Sequence, residues 1–143
     1  TGPLEVEVKK TAGEVKNLQF LGRKEHDELR EYLWASDTLI YAPVDEDYLG
    51  RTAICALLSG LPIILPKTSY YMDQKTSVSL SIPENIGFKI NNDDIDEAAD
   101  LIRTKLSIKN NFSPIQCRKY ALKYYGKVRN SNIILKTIFK KNR

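Results

Sequence analysis

The sequence predicts an α/β fold in which a Rossmann-like parallel sheet is flanked by helices. The first observation is the order of patterns in residues 38–65, which read as apolar strand, acidic loop, short apolar helix and apolar strand. Both apolar runs are continuous, as is typical of parallel strands buried on both faces. The second observation is a pair of helix start signals later in the chain, at Asp94 and Ser113. Strands that alternate with helices indicate a parallel sheet, followed here by C-terminal helices.

The first stretch of the chain fits two patterns. Leu4, Val6 and Val8 alternate with charged residues, as a half-buried strand would, but Leu4, Val8 and Ala12 also fall at helical spacing. We expect a helix over residues 5–16. Two further elements are expected before the central unit: a short strand over 18–21 that ends at Gly22, and a helix over 25–35 with acidic residues in its first turn.

Residues 38–65 are predicted to form one strand–helix–strand unit. Pro43 ends the first strand, Gly60 can take the left-handed conformation that closes a helix, and Pro62 opens the second strand. The parts between them are a strand over 38–42, a polar loop with Asp45, Glu46 and Asp47, and a buried helix over 53–58. Ligands of parallel α/β sheets bind where strands end and the next helices begin, so the loop over 45–52 is the predicted site.

The remainder is predicted to be mostly helical. Residues 67–83 lack clean periodicity, so we expect a loop with room for one short helix, followed by a strand over 87–90. Asp94 with Glu97, and Ser113 with Pro114, are helix start signals. The expected buried stripe of the second helix is Cys117, Tyr120, Ala121 and Tyr124, and a last helix is expected over 131–140.

The length and composition of the chain limit the classes of protein to which it can belong. The 143 residues suffice for one domain, and the hydrophobic and charged fractions, 42% and 28%, are ordinary for a globular protein. No apolar run approaches the roughly 20 residues that span a bilayer, and no secretory signal is present. Two cysteines fit a reducing compartment, so we expect a cytoplasmic protein. Because His26 is the only histidine, neither a His/Cys metal site nor a Ser-His-Asp triad is expected.

Charge is distributed unevenly. Residues 1–100 contain all 18 acidic residues and 10 of the 22 basic ones, whereas residues 101–143 contain 12 basic residues and no acid. A basic end of this kind can face a membrane or a polyanion. The alternative is a solvated face of terminal helices packed across an acidic body. Peripheral contact with the inner membrane face is therefore one expectation, and nucleic acid is not expected as a partner.

Several segments resemble, in order, motifs of the donor-binding C-terminal half of retaining GT-B glycosyltransferases. The similar segments are Gly2-Pro3-Leu4, Phe20-Leu21-Gly22, Ser36-Asp37, residues 47–51 with Ala56 and 60–64, and Gly87-Phe88 followed by Asp93. The resemblance covers nearly the whole chain and implies a transferase, of hexosyltransferase type, in polysaccharide or glycolipid synthesis. It implies a nucleotide-activated sugar as the donor substrate, with neither a protein-bound metal nor another cofactor.

The resemblance also implies roles for particular residues. The family uses two acids, of which the first contacts the sugar hydroxyls and the second holds the ribose. The first falls on Asp47, or on Glu46 if the loop carries one extra residue. Gly50, Arg51 and Thr52 would hold the diphosphate, and the Gly22-Arg23 turn would border the base. Arg51 could instead form an ion pair with Glu46 or Asp47, and the sequence favours neither role over the other.

The sequence departs from the family in two ways. The second acid falls on Cys55, and a thiol is a weak donor and a poor acceptor. Cys55 could alternatively be a small buried core residue. The Gly-Gly-x-x-Glu loop of the family is absent, and residues 69–73 stand in its place. A catalytically silent, glycosyltransferase-like interaction module is therefore the alternative function.

The resemblance predicts one donor-binding-type domain over residues 1–143, with basic C-terminal helices over 110–143 packed on it. Because the chain begins at Thr1 and about four strands are predicted, we expect it to be part of a longer two-domain enzyme. Its first strands and an acceptor-binding N-terminal domain would lie upstream, and the chain alone would be inactive. A sheet without its first strands exposes an edge, so a homodimer is a further expectation.

Overall fold

A computed structural model describes residues 2–42, 49–71, 74–77, 81–108 and 111–127. The chain divides into two compact units, Thr1–Tyr32 and Leu33–Arg143. In chain order the elements are α1 (Glu5–Glu14), α2 (His26–Trp34), β1 (Leu39–Ile40), α3 (Arg51–Ser59), β2 (Ile63–Pro66), β3 (Thr68–Tyr71), β4 (Gln74–Ser77), β5 (Gly87–Ile90), α4 (Ile95–Ser107) and α5 (Pro114–Tyr125). The class is mixed α/β with a small parallel sheet, compatible with the predicted Rossmann-like fold.

The first unit contains α1 and most of α2, so the helical interpretation of both segments is confirmed. No residue of α1 is buried, and local interactions explain why this segment is helical. Acids occupy its first turn, and Lys9 pairs with Glu5 one turn away at 2.6 Å. The strand expected over 18–21 is wrong, since these residues are irregular. A strand needs a neighbouring ladder, and here the Leu18 amide instead donates to the Val15 carbonyl.

The second unit is built on a three-stranded parallel sheet with the order β1-β2-β5. The central strand β2 is fully buried along its length, as its continuous apolar sequence predicts. β1 is shorter than predicted and lies at an edge, where Ile40 is 53% exposed. The expectation of a buried strand over 38–42 is therefore wrong in length and burial, because β1 pairs on one side only within the described sheet.

The core forms where α3 lies between β2 and α5. Ala53, Ala56 and Leu57 of α3 have no exposed surface, and neither does Cys117 of α5. Small residues on α3 let the two helices and the sheet approach closely. Burying one side chain of the size of Leu57 stabilises a fold by roughly 1.5–3 kcal/mol.

The end of α3 is fixed by Gly60 and Arg118. Gly60 adopts a left-handed φ of 89°, and its amide and that of Leu61 return to carbonyls of the last turn. Arg118 of α5 donates to the carbonyls of Leu58 and Ser59 at 3.1 and 3.2 Å. The prediction that Gly60 closes this helix is confirmed.

An antiparallel hairpin of β3 and β4 replaces the loop expected over 67–83. Thr68 pairs with Ser77, and Tyr71 pairs with Gln74. Only two residues separate Tyr71 from Gln74 in the sequence, which is the commonest hairpin spacing. The sequence of this segment lacks the Asn-Gly turn signal that is usual in hairpins. Its Thr and Tyr residues, which favour strands, were the remaining indication of a hairpin.

Both later start signals are confirmed. The Asp94 carboxylate accepts from the Glu97 amide at 2.9 Å, and the Ser113 hydroxyl accepts from the Gln116 amide at 3.3 Å. In the predicted stripe of α5, Cys117 and Ala121 are buried and Tyr120 is half-buried, but Tyr124 is 39% exposed. The helix expected over 131–140 lies outside the described residues.

Gly60→Ala is expected to lower the free energy of unfolding by about 2 kcal/mol. The left-handed conformation costs an L-residue roughly 1–2 kcal/mol, and an added Cβ would lie 3.0 Å from the Cβ of Pro114. Urea unfolding followed by circular dichroism measures the change.

Gly13→Ala is the matched control, because nothing lies within 4 Å of a Cβ added there. It is expected to be neutral or stabilising by up to about 1 kcal/mol, since alanine is favoured within helices. A Gly60→Ala protein as stable as the native chain would contradict the packing described for α3.

Candidate functional site

The candidate site lies at the carboxyl ends of the parallel strands. α3 begins in the chain after β1, and α4 begins shortly after β5, so the starts of both helices follow carboxyl ends of the sheet. Parallel α/β proteins bind ligands along this edge. The residues that contribute are the first turn of α3 and the segments that follow β2 and β5.

Among the described residues, no side chain caps the backbone amides in the first turn of α3. Gly50 is the N-cap residue, with φ −65° and ψ 165°, and its carbonyl accepts from the Ile54 amide at 3.1 Å. Leu49 before it and Ala53 after it are buried, whereas Arg51 and Thr52 are exposed. The turn is therefore anchored on both sides while its outer residues face solvent. A helix start carries about half a positive charge, which favours an anion.

Arg51 adds a full positive charge to this turn. Within the described part of the chain, no carboxylate forms an ion pair with Arg51. Glu46 and Asp47, the predicted sugar-binding acids and the alternative partners of Arg51, lie outside the described residues. Thr52 lies on the same turn and is also exposed. Gly50, Arg51 and Thr52, the predicted diphosphate-binding residues, form the N-cap and the first two positions of α3.

Cys55 lies one turn after Arg51 on α3. It is partly exposed, in contrast to the fully buried Cys117, and both thiols are free. The sequence allowed two interpretations of Cys55, a site residue or a small buried core residue. Because Cys55 is partly exposed, it is not one of the fully buried core residues.

A polar network at the ends of β2 and β5 was not found from the sequence. Asn92 Oδ1 accepts from the amide and the hydroxyl of Thr68, at 3.2 and 3.0 Å. Asn91 Nδ2 donates to Glu97 Oε2 at 2.8 Å, and Lys67 Nζ lies 3.9 Å from Glu97 Oε1. These bonds tie the start of the hairpin to the loop before α4. The sequence feature that could have indicated this network is the pair Asn91-Asn92 directly after an apolar strand.

Gly22 and Arg23 belong to the first unit. Gly22 adopts a left-handed φ of 65°, which explains a glycine at this turn. A cavity of about 540 Å³ is lined in part by Pro3, Leu4, Phe20, Gly22 and Arg23. Two of the segments that carry the resemblance therefore come together within this unit. Arg23 is exposed.

His26 is exposed at the start of α2. Among the described residues, no three His, Cys, Asp or Glu side chains are grouped so that they could hold a metal ion. None of the described helices combines the length and the apolar character needed to cross a bilayer.

Comparison with known proteins gives no relative for this chain. No protein-family model, no curated protein and no solved structure matches it. The site must therefore be interpreted from its own residues and from the motif resemblance alone.

The two cysteines are expected to differ strongly in reactivity. Burial raises the pKa of the Cys117 thiol from 9.0 to about 11, so almost no thiolate is present at pH 8, whereas Cys55 is accessible. A disulfide reagent added to the folded chain at pH 8 should titrate one thiol rapidly and the second only after unfolding in urea.

Cys55→Ser is the matched control and should remove the rapid reaction entirely. Because the Cys117 pKa is raised in the folded state, its contribution to stability is present below about pH 9 and falls as the pH rises towards 11. Rapid labelling that persists in Cys55→Ser would contradict the described burial of Cys117.

Proposed function

We propose that this chain is the donor-binding domain of a retaining GT-B glycosyltransferase. It binds a nucleotide-activated sugar for transfer to a saccharide or lipid acceptor held by a separate N-terminal domain. The observation that carries the proposal is the first turn of α3, Gly50-Arg51-Thr52, which no described side chain caps and which lies at the carboxyl edge of a parallel sheet. The motif resemblance supplies the donor class, and the edge position supplies the physical reason for phosphate binding.

The diphosphate is held by the start of α3. The amides of its first turn donate to phosphate oxygens, and the helix dipole favours the negative charge. Arg51 adds a charge-assisted hydrogen bond, which contributes roughly 1.5–3 kcal/mol. Glycine at position 50 leaves no side chain between the ligand and the helix start.

The remaining groups of the donor follow from the resemblance. Asp47 or Glu46 orients the sugar through its hydroxyls. Cys55 occupies the place of the acid that holds the ribose in related enzymes. A thiol cannot replace the charged acceptor, so the ribose is held more weakly than in those enzymes.

A second candidate function is a catalytically silent interaction module with the same fold. The observation that favours it is Cys55, which is partly exposed near the proposed phosphate turn and lacks a carboxylate. Losing one charged hydrogen bond weakens binding by at least about tenfold, because 1.4 kcal/mol is a factor of ten. Under this alternative the nucleotide site has lost its affinity.

Arg51→Gln is expected to weaken binding of a nucleotide sugar by about tenfold or more, since it removes one charge-assisted phosphate contact. Calorimetric titration of the whole protein with UDP- and GDP-activated hexoses measures the change. Asp47→Ala and Gly50→Val should also weaken binding, the first through the sugar and the second by placing a branched side chain at the helix start.

Arg103→Gln is the matched control. Arg103 is exposed on α4, and its ion pair within the described residues is with Asp100 of the same helix, at 2.6 Å, so its removal should leave the affinity unchanged. A folded protein that binds none of these nucleotide sugars would refute the donor-binding function.

Cys55→Glu is expected to tighten nucleotide-sugar binding about tenfold by restoring a charged acceptor for the ribose hydroxyls. Cys55→Ser, which keeps the size without the charge, should bind as the native chain does. Affinity that appears only in Cys55→Glu would identify the native chain as the silent module instead.

A further inference from the structure

The outward face of α5 combines aliphatic and basic side chains. Its inward face, with Cys117 and Ala121, packs towards α3. On the opposite face Ile115 is 62% exposed and Leu122 is 60% exposed, and Lys119 lies between them along the helix. At 3.6 residues per turn, Ile115, Lys119, Leu122 and Lys123 fall within an arc of about 100°. We call these four residues the outer face of α5.

The charged residues of α5 itself are all basic. α5 contains Arg118, Lys119 and Lys123 and no Asp or Glu, and no acid occurs anywhere in residues 101–143. Arg118 is engaged with the carbonyls that end α3, so it serves the fold. Lys119 and Lys123 are exposed. The outer face therefore attracts an anionic surface.

A groove runs beside the outer face. Its volume is about 320 Å³, and it is lined by residues 83, 85 and 86 on one side and by α5 on the other. Lys119 and Lys123 lie along it with Tyr120 and Tyr124, and Lys123 Nζ is 4.9 Å from the centre of the Tyr124 ring. Exposed tyrosine beside lysine is typical of side chains at the interface between a bilayer and water.

We propose that the outer face of α5 docks the protein on an anionic phospholipid bilayer. Ile115 and Leu122 enter the boundary between headgroups and acyl chains, while Lys119 and Lys123 contact the lipid phosphates. The exposed aliphatic side chains distinguish this partner from nucleic acid, whose affinity rests on phosphate charge and base stacking. They do not favour a symmetric contact between two copies of this face, because lysines would then lie against lysines. The proposal is independent of the donor-binding function.

Co-sedimentation with lipid vesicles tests the proposal. The whole protein should bind vesicles of phosphatidylcholine with about one-third phosphatidylserine, and it should not bind phosphatidylcholine alone. Lys119→Gln with Lys123→Gln should weaken binding by about thirtyfold, since each basic residue contributes about fivefold at such a surface. Ile115→Ala with Leu122→Ala should weaken it by at least about tenfold, because inserted aliphatic groups are lost.

Lys10→Gln with Lys16→Gln is the matched control, which makes the same change in net charge at exposed positions of the first unit. It should leave vesicle binding nearly unchanged. Alanine and glutamine are favoured in helices, so the α5 variants should fold, and thermal unfolding verifies this.

Three results would overturn the proposal. The first is equal binding to both kinds of vesicle, or binding to neither. The second is full binding by the Ile115→Ala, Leu122→Ala protein, since docking would then need no aliphatic contact. The third is tighter, steeply salt-dependent binding to single-stranded RNA than to vesicles, which would identify α5 as a nucleic-acid surface.

Discussion

The close packing of α3 between the central strand and α5 is the constraint on which the second unit depends. On the inner side of this helix, Ala53, Ala56 and Leu57 are fully buried. Cys117 of α5, which packs against this side, is fully buried as well. Interiors of this density tolerate little change in volume, so the axis and the rotation of α3 are both determined. The start of α3 is consequently held at the carboxyl edge of the sheet, and the outer face of α5 is consequently turned away from the core.

The two ends of α3 serve opposite purposes. At its carboxyl end, Gly60 and Arg118 satisfy the last carbonyls, so that end is closed by the protein itself. At its amino end, Gly50 contributes no side-chain cap, and no other described side chain supplies one. This asymmetry is the physical basis for proposing an anion-binding turn there. The network of Thr68, Asn91 and Asn92 gives the same sheet edge a second, rigidly connected set of polar groups.

Local signals in the sequence predicted the parts of the fold that local chemistry determines. Gly60, Asp94 and Ser113 marked helix ends because their backbone and side-chain preferences act within a few residues. The β3–β4 hairpin and the irregular segment 18–21 were missed because strand formation depends on a partner that periodicity does not reveal. The exposure of Ile40 depends likewise on its strand lying at an edge. In the candidate site, Gly50, Arg51 and Thr52 are neighbours in the sequence, so their proximity could be predicted. The contact between Asn92 and Thr68 could not, because it depends on the tertiary fold.

The central claim is that the open amides at the start of α3 bind a diphosphate. Amide chemical shifts of the isotope-labelled protein, followed by NMR during titration with a nucleoside diphosphate, test it most directly. The account predicts saturable shifts that are largest at Gly50, Arg51 and Thr52. Shifts that leave these three amides unchanged while others saturate, or no saturable shift at all, would contradict it.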